Sequence, residues 1–163
     1  MKKIAVFVFV AVSVLFSTGM TKPVTYIPEF AELKPVCLYT KEESELAKYV
    51  VQQEVRGASL KHKRIITNVI LNRVKSDDFP DNVHDVIFQK GQFTSARNCK
   101  EKTFTPDKVT EQAVFEVFHN ECEDLSQGAL YFYAPRWTDE KTAKWFEENL
   151  TFLFELEGHR FFK

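Results

Sequence analysis

Leu46, Val50 and Glu54 stand four residues apart, so on a helix they form one stripe that begins apolar and ends in an acid. Thr40 or Ser44 can cap that helix, with acids in its first turn. The helix is expected to reach about Arg56 and to stop at Gly57. A second helix is expected over "LKHKRIITNVILNRVKS", with Ile66, Val69, Ile70 and Val74 as its buried stripe. "DDFPDNV" has the composition of a turn, "VHDVIF" that of a short helical piece, and "QKGQFTSARNCKEKTF" has no period and is expected to be a loop. Thr105 and Pro106 open a further helix, whose apolar positions Val109, Ala113, Val114 and Val117 keep helical spacing.

The pattern changes after Gly128. "ALYFYAP" and "TFLFELE" are aromatic-rich runs of strand composition, and Glu157 and Gly158 make a turn before "HRFFK". In "ALYFYAP", Leu130 and Phe132 point one way and Tyr131 and Tyr133 the other. The more apolar pair is the natural core set, which leaves the tyrosines towards a cleft or solvent. Helices first and a small antiparallel sheet last make an α+β domain.

At the N-terminus, "MKKIAVFVFVAVSVLFSTGM" has two lysines, an apolar run from Ile4 to Phe16, and then Ser17, Thr18 and Gly19. This is the layout of a secretory signal over residues 1–19, with a retained signal anchor as the alternative. The run is short for a spanning helix, which needs about 20 residues. Residues 20–40 carry Pro23, Pro28 and Pro35 and are expected to be an extended linker to a domain over 41–163. The protein is therefore expected to be exported, periplasmic or extracellular, with the membrane touched only through this segment. Export makes Cys99 and Cys122 a candidate disulfide, with Cys37 left over; buried thiols are the alternative.

Bulk properties add exclusions. A net charge of −1 offers no basic surface for nucleic acid, and 44% hydrophobic with 28% charged residues is ordinary for a globular protein. No HExxH, GxSxG, phosphate-binding loop or paired CxxC occurs, so no metal or cofactor is implied. "HNEC", His119 to Cys122, is better explained as an exposed helix end than as a metal site. Trp137, Trp145, Tyr131 and Tyr133 are more commonly core than sugar platforms, with stacking on a sugar ring as the minority alternative in an exported domain that has a candidate general acid.

Glu54 is the candidate for chemistry. A carboxylate on an apolar face loses water, which favours its protonated form, and a carboxylic acid that keeps its proton near neutral pH is what glycosidic cleavage requires. On spacing alone, an ion pair with Arg56 or Arg73 is the more common outcome. Arg73 shares the stripe of Ile66, Val69 and Ile70, so it is expected to be partly buried in a structural role. Asn72 can hydrogen-bond either a loop or a ligand.

These blocks, in order, resemble the SleB-like cell-wall hydrolases, the spore-cortex-lytic family, from about Leu46 to Lys163. "EVRG" is similar to the family's E-A-R-G, "VILNRV" follows at the usual distance, and "FPDNVHDVIFQKGQFTS", "GALYFYAP" and "EGHRFFK" match its later blocks. The resemblance implies a lysozyme-related α+β domain that cuts the glycan strand of peptidoglycan. It implies that Glu54 is the catalytic acid, that Gln92, Phe93 and Thr94 line the cleft, and that Tyr131, Phe132, Gly158 and His159 lie opposite; Tyr133 joins them as a candidate sugar contact. Ala58 stands where the family often has a second glutamate, and Thr94 where serine is usual.

Glycosidases normally use two carboxylates, whereas a lytic transglycosylase needs one. With one strong candidate, the expected activity is cleavage between N-acetylmuramic acid and N-acetylglucosamine by a monomeric lytic transglycosylase. The alternatives are a hydrolytic muramidase or phage endolysin, a non-catalytic peptidoglycan-binding module, and a zinc amidase.

Overall fold

The Thr40 hydroxyl accepts the Glu43 N–H at 3.1 Å, and the Glu43 carboxylate accepts the Thr40 N–H at 2.8 Å. This reciprocal capping box starts α1, Lys41–Glu54. The helix ends at Glu54 with Val55 as its cap, and Gly57 then turns the chain in the left-handed conformation, φ +76°, that side chains disfavour. Ser59 caps α2, Leu60–Lys75, by accepting the His62 N–H at 3.2 Å. The structure, a computed structural model, describes residues 39–93, 96, 105–119 and 122–163. The expected signal segment and nearly all of the linker lie outside the described residues, as do Thr94 and Cys99.

Three more helices follow: α3, Val83–Phe88; α4, Lys108–Phe118; and α5, Glu140–Asn149. The strands are β1, Tyr131–Tyr133; β2, Phe152–Leu156; and β3, His159–Phe162. They form one antiparallel sheet in the order β1-β3-β2. Glu157 and Gly158 both have positive φ, 45° and 78°, so β2 and β3 join through a two-residue turn of the mirror-image type that suits strand twist. The α+β architecture expected from the sequence is the one observed.

The helical core is packed from α1, α2, α3 and α4. Ala47, Val50 and Val51 meet Ile66, Val69, Ile70, Val86 and Val114, all with no exposed surface. One face of the sheet closes this core: Phe161 belongs to it, Phe132 packs against it, and the His62 ring of α2 meets Phe161 edge-on at 5.9 Å. The other face carries Tyr131, Tyr133 and Phe162, and α5 covers it through Phe146, whose ring lies 5.0 Å from Tyr133 and 5.6 Å from Phe162.

Two expectations need correction. The cap of α4 is Asp107, which accepts the Thr110 N–H at 2.7 Å, and not Thr105 with Pro106. Val109 is exposed, and Thr110 takes the buried place beside Ala113, Val114 and Val117. The cause is Lys63, a fully buried cation on α2. Its ammonium donates to both Asp107 oxygens at 2.8 and 2.7 Å and to the Thr110 hydroxyl at 2.7 Å. Thr110 in turn donates to Gln52 Oε1 at 2.5 Å. A buried charge must be paired, so this network sets the register of α4 against α1 and α2 ahead of simple apolar spacing.

The second correction is α5 itself, which breaks the expected run of strands. Its signal was present: Asp139 accepts the Thr142 N–H at 2.9 Å, an acid at the cap position. No residue of the helix is fully buried, and its ten residues carry only Ala143, Trp145 and Phe146 as apolar side chains, between two strand-like runs.

Asp107→Ala removes both a cap and the counter-ion of Lys63. Because Asp107 is partly solvated, the expected loss of stability by chemical denaturation is about 2 kcal/mol. A loss within about 0.5 kcal/mol, the range of ordinary surface changes, would show that the network does not fix α4.

Candidate active site

The last residue of α1 faces open space. Glu54, half-buried, lines a cavity of about 550 Å³ and also a neighbouring one of about 430 Å³. Only Glu54, Trp137 and His159 are common to the two among the described residues, so the cavities meet where these three side chains stand. Glu54 is also the only acid among the described residues that lines the larger cavity.

Arg73 forms part of that cavity's wall and is 3% exposed. Its Nε donates to the Leu130 carbonyl at 2.7 Å, which ties α2 to the entry of β1. The guanidinium carbon lies 5.0 Å from the ring centres of both Phe79 and Phe93 and 5.7 Å from that of Tyr131. Burial pulls its pKa down to about 10, against the attraction of Tyr131 and Glu54. It therefore remains a cation at neutral pH, and its Nη1 is buried without a hydrogen-bond partner. The expected structural role of a partly buried Arg73 describes the Nε contact. The contact with Glu54 is electrostatic as well, so Arg73 belongs to the site's field and not to packing alone.

The other sequence-derived candidates divide by location. Gln92, Phe93, Tyr131, Phe132 and His159 line the larger cavity. Phe93 is nearly buried; its ring holds Arg73 on one side and lies 6.2 Å from Phe132 on another. Thr94 lies outside the described residues. Asn72 is turned away from the site, donating to the Ser126 hydroxyl at 2.8 Å and the Ala129 carbonyl at 3.2 Å, so it secures the loop that leads into β1. The two tyrosines are not equivalent. Tyr131 is half-buried, whereas Tyr133 is packed between Phe146 and Phe162 and its hydroxyl donates to Glu147 at 2.6 Å. Tyr133 touches the cavity wall but does not face open solvent, because α5 covers it.

Sequence reasoning ranked two contributors too low and did not foresee a third. Trp137 and Trp145 were expected in the core, yet they are 80% and 50% exposed and both line the larger cavity. The third is a histidine pair. His62 and His159 stand edge-on at 4.8 Å, and Glu157 lies 3.3 Å from His62 Nδ1. Glu157 also accepts from the backbone N–H of Ser59, at 3.1 Å, and from its hydroxyl, which clamps the β2–β3 turn onto the start of α2. This clamp carries His159 to the cavity. The signal was the pairing of a turn glutamate with a helix-capping serine, too distant in sequence to be seen as a motif. Among the described residues, no group of three histidine, cysteine or acidic side chains is placed to hold a metal ion.

Burial lowers the pKa of both histidines from the ordinary 6.5, and the neighbouring His159 lowers that of His62 further. Glu157 opposes the shift without reversing it. The neutral forms are thus favoured in the fold. Their contribution to stability is complete above the unfolded value of 6.5 and is lost as pH falls through the lower folded values. The melting temperature is expected to fall between about pH 7 and pH 5, and His62→Gln is expected to flatten that fall. An unchanged profile in the variant would remove the pair from the pH response.

Residues 57–162 match the cell wall hydrolase family. The chain is 34% identical over 107 residues to a spore cortex-lytic enzyme of Halalkalibacterium halodurans, a match that covers 66% of this chain and 31% of that relative. Among solved structures it is similar to the catalytic domain of the germination-specific lytic transglycosylase SleB from Bacillus anthracis, with a TM-score of 0.65, 27% identity, and coverage of 77% of this chain and 97% of that one. The catalytic domain of the Bacillus cereus SleB protein gives 0.64, 28%, 77% and 92%. The family match begins just after Glu54, so the place of that residue rests on the geometry above. A helical core closed by one face of a three-stranded sheet, with an open cleft along its edge and this match over most of the domain, places the chain in the cell wall hydrolase family.

Proposed function

We propose that this chain cleaves the glycan strand of peptidoglycan between N-acetylmuramic acid and N-acetylglucosamine as a lytic transglycosylase, with Glu54 as its one acid–base group. The observation that carries this is the position of Glu54 at the junction of two cavities, with no second carboxylate in the larger one among the described residues. Glu157 lines the smaller cavity, but its oxygens are engaged by Ser59 and His62.

The chemistry then runs in two steps. Glu54 gives its proton to the glycosidic oxygen, and the C1–O bond of the muramic acid breaks as the N-acetylglucosamine end leaves with a hydroxyl. The Glu54 carboxylate next takes the proton of the muramic acid 6-hydroxyl as that oxygen bonds to C1. The product is a 1,6-anhydro ring, Glu54 is protonated again, and no water is consumed. Two fields suit a group that must both give and take a proton. The C-terminal end of α1 carries partial negative charge, which favours the acid, and Arg73 favours the carboxylate. Gln92, Tyr131 and His159 are the polar groups proposed to hold the sugars, with Phe93 as wall and Tyr133 as support. Thr94 is proposed as a further contact from the same loop.

The export reading belongs to the same proposal. The N-terminal segment takes a monomeric enzyme across the cytoplasmic membrane to its substrate, with cleavage near Gly19, and an oxidising compartment joins Cys99 to Cys122. That bridge would stabilise the fold by on the order of 3 kcal/mol. Thiol counting on unreduced mature protein is expected to find one thiol, Cys37; three would remove the bridge.

Glu54→Gln is expected to keep the melting temperature and the circular-dichroism spectrum while lowering turnover of purified murein by at least about a hundredfold, the scale of lost general acid–base catalysis. A folded variant that still solubilises murein at the native rate would contradict the assignment. A wild-type protein that binds murein and never releases fragments would make the domain a binding module.

A further inference from the structure

Tryptophan is the side chain with most to lose in water, and this chain leaves one 80% exposed. Trp137 sits in the connection between β1 and α5. Its backbone N–H donates to the Ala134 carbonyl at 2.9 Å, and the Thr138 hydroxyl donates to the same oxygen at 2.9 Å, so the turn that presents it is hydrogen-bonded and formed. The Arg136 guanidinium lies 5.0 Å from the centre of its ring and supports it from one side. Beyond Glu54 and His159, Trp137 is the one described residue that borders both cavities. The larger cavity continues past it to Trp145, which is 50% exposed and stands edge-on to Phe146 at 5.5 Å.

These observations share one explanation. A glycan strand is a linear polymer, and one that is cut at Glu54 must lay rings on both sides of that carboxylate. The hydrophobic C–H face of an amino-sugar ring covers an indole face, and its hydroxyl and acetamido groups stay at the rim to hydrogen-bond. An exposed, supported indole at the junction of two cavities meets that demand, and a peptide stem has no such flat apolar face. Resting on the glycan-strand reading above, we propose that Trp137 is the stacking platform for the sugar bound at the junction beside Glu54, and that Trp145 extends the platform along the larger cavity. Trp137 acts on the affinity for the strand and takes no part in proton transfer.

The sequence contains two tryptophans, so intrinsic indole fluorescence reports on this surface alone. The tetramer of β-1,4-linked N-acetylglucosamine, added to the full chain carrying Glu54→Gln, is expected to shift or quench that emission, with a smaller response when Trp137 is also replaced by Phe. In the active chain, Trp137→Ala is expected to raise KM for purified murein about tenfold with kcat within about twofold, and Trp137→Phe to recover most of the loss. The melting temperature is expected to stay unchanged in both, since the side chain is mostly in solvent. An unchanged KM in Trp137→Ala overturns the platform, as does emission that ignores the tetramer. A fall in kcat alone also overturns it, because that would place Trp137 in the chemical step. Failure of the glycan reading looks different: wild-type protein would then leave murein intact whatever stands at position 137.

Discussion

A guanidinium taken out of water has to be surrounded by groups that favour its charge, and in this fold those groups are the walls of the cleft. Arg73 reaches from α2 to the carbonyl of Leu130, lies among Phe79, Phe93 and Tyr131, and feels the charge of Glu54. Each of these comes from a different part of the chain: the end of α1, the turn after α2, the loop after α3, and β1. A buried cation that loses its partners costs several kcal/mol, so the four segments are held to it together. The consequence for function is that the cleft is formed before any ligand arrives, which is what electrostatic catalysis requires.

The sheet turns this fixed point into a site. Its inner face, with Phe132 and Phe161, belongs to the helical core, and its outer face is covered by α5. Glu147 on α5 accepts from Tyr133 at 2.6 Å and pairs with Arg160 at 3.0 Å, so the added helix is anchored to two strands. The turn of β2 and β3 is fastened separately, by Glu157 against Ser59 and His62. With the strands held at both places, His159 and the Trp137 connection stay opposite Glu54. The cleft thus lies between a helix terminus and a sheet edge, each position fixed by polar contacts that cross long stretches of sequence.

Much of this could be seen in the chain. Helices α1, α2 and α3, the three strands and the Glu157–Gly158 turn follow from spacing, caps and composition, because in each of them local preference and tertiary packing agree. The position of Glu54 at the end of an apolar stripe, ahead of a glycine, was a local signal with a physical meaning. What escaped depends on distant partners. The cap and the buried face of α4 are set by Lys63, which as a lone letter in "HKRIITN" looks like a surface residue. Helix α5 is short and has only Ala143, Trp145 and Phe146 as apolar side chains, so between two strand-like runs it does not stand out. Trp137 and Trp145 depart from the general rule that tryptophans are well covered, and the cavity is what makes their exposure intelligible. Tyr133 and Tyr131 have the same strand parity, and only the presence of α5 separates them.

The central claim is that a single carboxylate at this junction cuts glycan, and the covalent form of the product records it. Mass spectrometry of the soluble fragments released from purified murein by the wild-type protein is the direct test. The account predicts muropeptides that end in 1,6-anhydro-N-acetylmuramic acid, with their peptide stems still attached. Fragments with reducing, hydrated ends would mean that water attacks and that a second group activates it, and free peptides with intact glycan would contradict the account altogether.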